Sequence, residues 1–328
     1  MTEATILSTS LKKPSRIVEN RELEERLGLR AGVIERLTGI RTRHYLGQGE
    51  SLQGIATTAC LEAIQRSNLD PARLDMMIFY TDVPPTLPED GRLKKTYYEV
   101  GPHIQYLLRS QGVEVGCECV NIGGSCVGFI SALQIACGLI KSGIKHNVLI
   151  VGAADCSSFL GGAEVNVAMT FADGAAATIV TASRRRGFTD FCCMTDCSGY
   201  DAGCFREYTE MYVDRKRVAE FAPRAFQSAY RLLLERTHLD QERIDLVIPH
   251  QAGLKIIERG VALSGIPREK VYVCLQADGN TGAPALQIAL THALEEGRIH
   301  EGDVVALIGF GTGWHFGATA FHHHEIRD

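Results

Sequence analysis

Concentrated charge, long apolar runs and paired cysteine spacings are what this 328-residue sequence lacks. Its 34 Lys and Arg are spread thinly along the chain against 39 Asp and Glu, leaving a formal net charge of -5. Nucleic-acid binding needs a dense basic surface, so no nucleic-acid partner is expected. The longest apolar runs, such as 126–140, are broken by Gly and Ser and fall short of the roughly 20 residues that cross a bilayer, which argues against a membrane partner. Residues 1–20 hold no apolar stretch flanked like a signal peptide, and a cytoplasmic protein is expected. The 11 cysteines are an odd number, which points to reduced thiols rather than a disulfide framework. Cys192, Cys193, Cys197 and Cys204 lie close in sequence but without CxxC-like pairs on both sides, so no metal is expected. The His322-His323-His324 run carries no functional weight. What is present suits a folded α/β chain, with 45% hydrophobic and 22% charged residues, enough to bury a large core.

The chain repeats itself. Residues 59–78 (ACLEAIQRSNLDPARLDMMI) align without a gap to 229–248 (AYRLLLERTHLDQERIDLVI), sharing Arg66/Arg236, Asp70/Asp240, Asp75/Asp245 and Ile78/Ile248 among others. Each copy reads as an amphipathic helix, a Leu-Asp turn and a short apolar strand, half of a βαβ unit that builds parallel sheet. Ala132-Leu133-Gln134-Ile135-Ala136 recurs letter for letter as Ala285-Leu286-Gln287-Ile288-Ala289, and each copy runs on to a Gly (Gly143, Gly297) and an apolar strand, 148–155 and 304–311. The first of these helices is apolar nearly all round, so both are predicted to lie inside the protein. Duplicated βαβαβ halves, 1–185 and 186–328, then stack as five layers, αβαβα, with the two buried helices between two sheets.

The residues that introduce the equivalent helices are Cys126 and Asn280. Cys126 follows a strand-like run (Val113 to Ile122) and the turn Gly123-Gly124-Ser125, which sets its sulfur at a helix N-terminus, where the dipole is expected to lower the thiol pKa. An inert buried cysteine is the ordinary alternative. His250 stands just beyond the strand that ends the second repeat, where parallel sheets bind ligands; a loop-capping histidine is the bland reading. Asn280, in Asp278-Gly279-Asn280-Thr281-Gly282, reads equally as a turn between a strand at 271–275 and a helix.

Together these segments are more specific. PHQAGLKII (249–257), GNTGAPAL (279–286), the cysteine-led helix and GFGTGWHFG (309–317) closely resemble the ketoacyl-synthase III family, as do Thr38-Gly39-Ile40-Arg41-Thr42-Arg43 and Phe171-Ala172-Asp173-Gly174-Ala175-Ala176. The resemblance covers almost the whole chain and implies the thiolase fold. It further implies that Cys126 takes an acyl group from a thioester, and that His250 and Asn280 donate hydrogen bonds to the enolate formed when a malonyl extender loses carbon dioxide. A second oxyanion hole would use the backbone of Cys126 and of the Thr312-Gly313 turn. No bound cofactor is implied; the substrates are acyl-ACP or acyl-CoA thioesters, the partner is an acyl carrier protein, and the assembly is a homodimer.

The departures bear on substrate. Many coenzyme-A-using relatives carry a Trp and an Arg where Val33 and Leu37 stand here, and Arg36 is one position away. A carrier-delivered donor is therefore favoured, met by Lys255, Gly253, Arg36, Arg215 and Lys216, with Arg217 beside them. The stretch 81–116 looks longer than its family counterpart and the cap region 187–216 shorter, which favours a role in polyketide or other secondary metabolism. The alternatives are ester or amide formation or thioester hydrolysis on the same scaffold, the housekeeping initiator of fatty-acid synthesis, and a catalytically silent partner subunit. Trp314 and His315 are read as lining the acyl tunnel or as packing.

Overall fold

Both copies of the repeat fold alike in the computed structural model, which describes residues 2–83, 99–161, 163–206 and 210–324. The helix Leu52–Ser67 ends at Asn68 (φ 53°) and the helix Arg215–Thr237 at His238 (φ 54°), both in the left-handed conformation that stops a helix. The shared polar residues do the same jobs twice. Asp75 accepts the Asn147 N–H at 2.8 Å and Asp245 accepts the Val304 N–H at 2.8 Å, so each carboxylate caps the start of the neighbouring strand. Arg66 donates to the Thr9 carbonyl and Arg236 to the Phe191 carbonyl, each bracing the outer strand of its own sheet.

The first sheet has the order Glu3–Lys12, Asp173–Ser183, Asn147–Asp155, Met76–Tyr80, Glu118–Ile122, and the second Phe188–Thr195, His315–His322, Val304–Gly311, Leu246–Pro249. Only the pairs next to the repeat strands are parallel, 76–80 with 118–122 and 147–155, and 246–249 with 304–311; the remaining pairs are antiparallel, so both sheets are mixed. The fifth strand predicted at 271–275 shrinks to one bridge, Val271 with Val247. The Gln251 side chain explains this, because its Oε1 takes the Cys274 and Leu275 N–H groups that a ladder would have used. The predicted run 113–122 likewise forms a strand only over Glu118–Ile122.

Three apolar clusters fill the spaces between layers. The helix Leu52–Ser67 covers the outer face of the first sheet, and Arg215–Thr237 with Leu254–Ser264 covers the second. Gly128–Lys141 and Ala285–Glu295 lie between the sheets. The five predicted layers are present, with one correction: the 128–141 helix is not enclosed all round. Ile135 is 38% exposed, and the chain covers this helix on the sides facing the sheets only. An antiparallel ribbon, Gly203–Arg206 with Glu210–Val213, forms the cap. Residues 84–98, part of the 81–116 stretch read as longer than its family counterpart, lie outside the described residues.

Between the layers runs a buried polar chain. The Tyr80 hydroxyl donates to Gln287 Oε1 at 2.6 Å, and Gln287 Nε2 donates to Thr178 Oγ1 at 2.8 Å. Thr9 stands 3.2 Å from Thr178 and 2.6 Å from Thr291. Because each group is partnered, the chain fixes the rotation of the 285–295 helix against the first sheet rather than merely tolerating polar atoms there.

Candidate active site

The cysteine turn is built from backbone that few residues adopt. Gly124 has φ 127° and Ser125, unusually for a residue with a side chain, φ 52°. A Cβ on Gly124 would lie 3.2 Å from the Cα of Gly128, so glycine is required for the chain to fold back on itself. A single 3-10 turn, Ser125–Val127, then leads into the helix Gly128–Lys141. The Cys126 sulfur is 3.9 Å from Ser125 Oγ and 3.9 Å from Asp82 Oδ2. The expected lowering of its pKa by the helix is overturned. Burial, and then the Asp82 carboxylate beside it, push the thiol up, because the thiolate would lose its hydration and face a like charge.

His250 continues the line of the Leu246–Pro249 strand, its N–H bonded to the Ile308 carbonyl at 2.8 Å. The ring is 2% exposed and meets Phe310 edge to face at 5.5 Å. Burial lowers its pKa to about 3, so the imidazole is neutral across the physiological range and has one N–H to offer. Asn280 is held by two backbone bonds: its N–H bonds to the Thr170 carbonyl at 3.1 Å, and its carbonyl accepts from Ala172 N–H at 2.8 Å. Its Oδ1 accepts the Gly282 N–H at 3.0 Å, which points the amide NH2 the other way. Gly279 (φ 70°) permits the turn, since a Cβ there would press on Ala172 and Arg43.

That clamp explains two of the motifs. Arg43, fully buried, donates to the Met169 carbonyl and, at 2.7 Å, to Asn20 Oδ1, so it braces the segment that grips Asn280. Asp173, one residue past the clamp, accepts from Ser157 N–H at 2.7 Å and Leu46 N–H at 2.8 Å. Gly39 (φ 78°) lies under Leu254, whose Cβ would be 2.5 Å from any added side chain, so the Thr38-Gly39 turn seats the helix carrying Lys255.

Cys126, His250 and Asn280 all line one cavity of about 500 Å³. Its inner wall is apolar, including Val167, Met169, Phe205 and Met211. Gly311 and Thr312 close it beside the cysteine: a Cβ on Gly311 would be 3.1 Å from the Cys126 nitrogen, and Thr312 Oγ1 is 3.3 Å from Ser125 Oγ. Gly313 is not part of the lining. Of the residues expected to meet a carrier, Gly253, Lys255 and Arg215 line the cavity and Arg36 and Lys216 do not. Arg217 is taken up by Asp201 at 2.8 Å and the Ser198 carbonyl at 2.7 Å. Leu37 lines the cavity, whereas Val33 does not. Trp314 both lines it and stacks on Phe221 at 4.2 Å, while His315 instead bonds Thr195 at 3.0 Å. Among the described residues, no group of His, Cys, Asp and Glu is arranged to hold a metal, and no helix is long and apolar enough to cross a membrane.

Asp82 is the charged cavity residue that the sequence reading did not single out. It is the one carboxylate among the described residues lining the cavity. A signal was available: the repeat maps His250 onto Tyr80, so the strand-end rule that singled out His250 points, in the first half, at the residues directly after the Met76–Tyr80 strand.

Comparison with known proteins identifies the family and the fold. The family described as 3-Oxoacyl-[acyl-carrier-protein (ACP)] synthase III matches residues 120–197, and the family of its C-terminal part matches residues 234–323. The beta-ketoacyl-[acyl-carrier-protein] synthase III of Aquifex aeolicus is 32% identical over 96% of this chain and 97% of its own. The crystal structure of 3-oxoacyl-[acyl-carrier-protein] synthase III from Aquifex aeolicus superimposes with a TM-score of 0.88 at 29% identity, over 98% of this chain and 100% of that one. The priming beta-ketosynthase of the R1128 polyketide pathway superimposes with a TM-score of 0.87 at 25% identity, over 98% and 97%.

Proposed function

The chain belongs to the 3-oxoacyl-[acyl-carrier-protein] synthase III family, and on that premise we propose that Cys126 carries the acyl group while His250 and Asn280 hold the extender's thioester oxygen. The protein is an acyltransferase of this type, which condenses an acyl group with a malonyl extender by decarboxylation and needs no cofactor. One observation carries the assignment of roles: a buried thiol, a neutral imidazole and an oriented carboxamide line one cavity with an apolar inner wall. Neutral N–H donors stabilise an enolate oxygen without protonating the carbanion, which a protonated imidazolium would do. The turn at Gly311-Thr312, pressed against the Cys126 nitrogen, supports a backbone oxyanion hole there. Thr312 rather than Gly313 is its second member.

The donor arrives on an acyl carrier protein. Arg215 and Lys255 stand exposed at the cavity and suit an acidic partner, and the apolar Leu37 replaces a cationic phosphate grip. A role in polyketide or other secondary metabolism rests on the departures in the sequence; the R1128 priming enzyme shares the fold at 25% identity, less than the 32% of the Aquifex aeolicus beta-ketoacyl-[acyl-carrier-protein] synthase III. The homodimer is supported by the open edge strand Glu118–Ile122, last in its sheet among the described residues, and by the exposed Ile135.

The test is intact-mass measurement after incubation with acyl-carrier and acyl-coenzyme A thioesters, beside Cys126→Ala, with malonyl-carrier decarboxylation followed in parallel. The expected result is acyl mass on wild type alone, chiefly from the carrier form, with release of carbon dioxide. Equal labelling of Cys126→Ala would remove the nucleophile assignment. Labelling without decarboxylation would turn the reading to ester or amide formation.

A further inference from the structure

We infer that Asp82 is the general base of acyl loading: its carboxylate accepts the Cys126 thiol proton as the sulfur attacks the donor thioester, and returns it to the departing sulfur. The inference rests on Cys126 being the nucleophile. Its starting point is a gap in the site. A buried thiol held above its ordinary range is not a standing thiolate, so a group must take its proton when it attacks. His250, the usual candidate by residue type, is buried as the neutral ring with Phe310 against it, and its role as donor to the extender leaves the thiol without a base.

Asp82 fits in position and in state. Oδ2 is 3.9 Å from Cys126 Sγ, within the looser range that catalytic hydrogen bonds show before substrate tightens them. The carboxylate rests directly on Gly282, where a Cβ would lie 2.6 Å from Oδ2, so its place requires that glycine. Oδ1 is buried and has no hydrogen-bond partner among the described residues. Burial raises the carboxyl to about 6, against which the Ala283 N–H pulls, so it is ionised at pH 7 and basic enough to accept a proton. Among the described residues, the other titratable groups around it are Tyr80 at the end of the preceding strand, Cys126, and Cys156 after the Asn147–Asp155 strand; burial pushes all three up and leaves them neutral. None of them supplies a titration near 6.

The step balances. A bond forms between Sγ and the carbonyl carbon, the S–H proton passes to Asp82, the donor C–S bond breaks with its electron pair on the leaving sulfur, and Asp82 gives the proton to that sulfur. The carboxylate is regenerated and a free pantetheine thiol departs.

Loading rates measured by quenched intact mass from pH 5 to 9 test this with Asp82→Asn, Asp82→Glu and Cys126→Ala. Asp82→Asn should load about 10²-fold or more slowly and lose the fall in rate that wild type shows below about pH 6. Asp82→Glu should recover part of the rate and the acid limb. Malonyl decarboxylation by both variants, measured in parallel, reads whether the loss is confined to the loading step, and thermal melting of both reports the intact fold. A carboxylate that only crowded the thiol would disfavour the thiolate, so loading by Asp82→Asn at or above the wild-type rate overturns the inference. Equal losses of loading and decarboxylation in both variants overturn it as well. Wild type that takes no acyl mass, or Cys126→Ala that takes as much, instead breaks the nucleophile assignment on which the inference stands.

Discussion

Ala132–Ala136 and Ala285–Ala289 are spelled identically, yet the third and fourth letters have opposite surroundings. Gln287 is fully buried and Ile288 2% exposed, whereas Ile135 is 38% exposed and Gln134 is open to solvent. The second-half helix meets the first sheet through Tyr80 and Thr178, which give Gln287 its partners. The first-half helix has no matching polar contact for Gln134 among those described, and its far side is left to solvent. The pentapeptide therefore specifies a helix of a certain shape, and the neighbouring layer decides which of its faces is covered. The proposed chemistry divides the same way: the first half's helix follows the proposed nucleophile Cys126 and the second half's follows Asn280, the proposed donor to the extender.

The sharpest way to break that comparison is to disable each half in turn. Cys126→Ala should abolish acyl labelling, while His250→Ala and Asn280→Ala should still take the acyl group and lose about 10²–10³-fold in decarboxylation, read as released carbon dioxide. A single variant that lost both activities in step would show the halves do not divide the labour. Next in size, Gln287→Ala leaves the Tyr80 hydroxyl and Thr178 without their partner and should lower unfolding stability by about 1–3 kcal/mol, against a change within about 0.5 kcal/mol for Gln134→Ala. Denaturant midpoints of the two variants would decide it.

His250 and its counterpart Tyr80 should part company in acid. The folded chain keeps His250 neutral down to about pH 3, while the unfolded chain binds that proton near 6.5. More protons are bound on unfolding in this window, so stability is full above pH 6.5 and falls as pH drops toward 3. The loss should be on the order of 2 kcal/mol by pH 5, and His250→Gln should show a shallower fall over the same range. The smallest effect concerns the repeated arginines. Arg66→Met and Arg236→Met each lose a bond to an outer-strand carbonyl, costing about 0.5–1.5 kcal/mol; Arg66→Met also loses its 2.6 Å ion pair with Glu295, so its melting shift should be the larger.

Much of this could be read from residues because the repeat exposed it. Asp75 and Asp245, or Asn68 and His238, are legible as pairs since one backbone plan needs the same capping and turn chemistry twice. Cys126, His250 and Asn280 were found by their place at strand ends and helix starts. What escaped was non-local. Nothing in the spelling of 271–275 shows that Gln251 takes its amide donors, and no local pattern sets burial of the Cys126 thiol against the pull of a helix end. Asp82 carries no local mark of its own; only the strand end it shares, through the repeat, with His250 points to it.

The Asn280 clamp has a consequence for how the chain comes to be an enzyme. Its two backbone bonds run to Thr170 and Ala172, across from one half to the other. Neither half, expressed as a separate polypeptide, can align that carboxamide, however well it folds. Two inert fragments that recover decarboxylation on mixing would thus report their own docking, and the rate of recovery would clock the association of the halves.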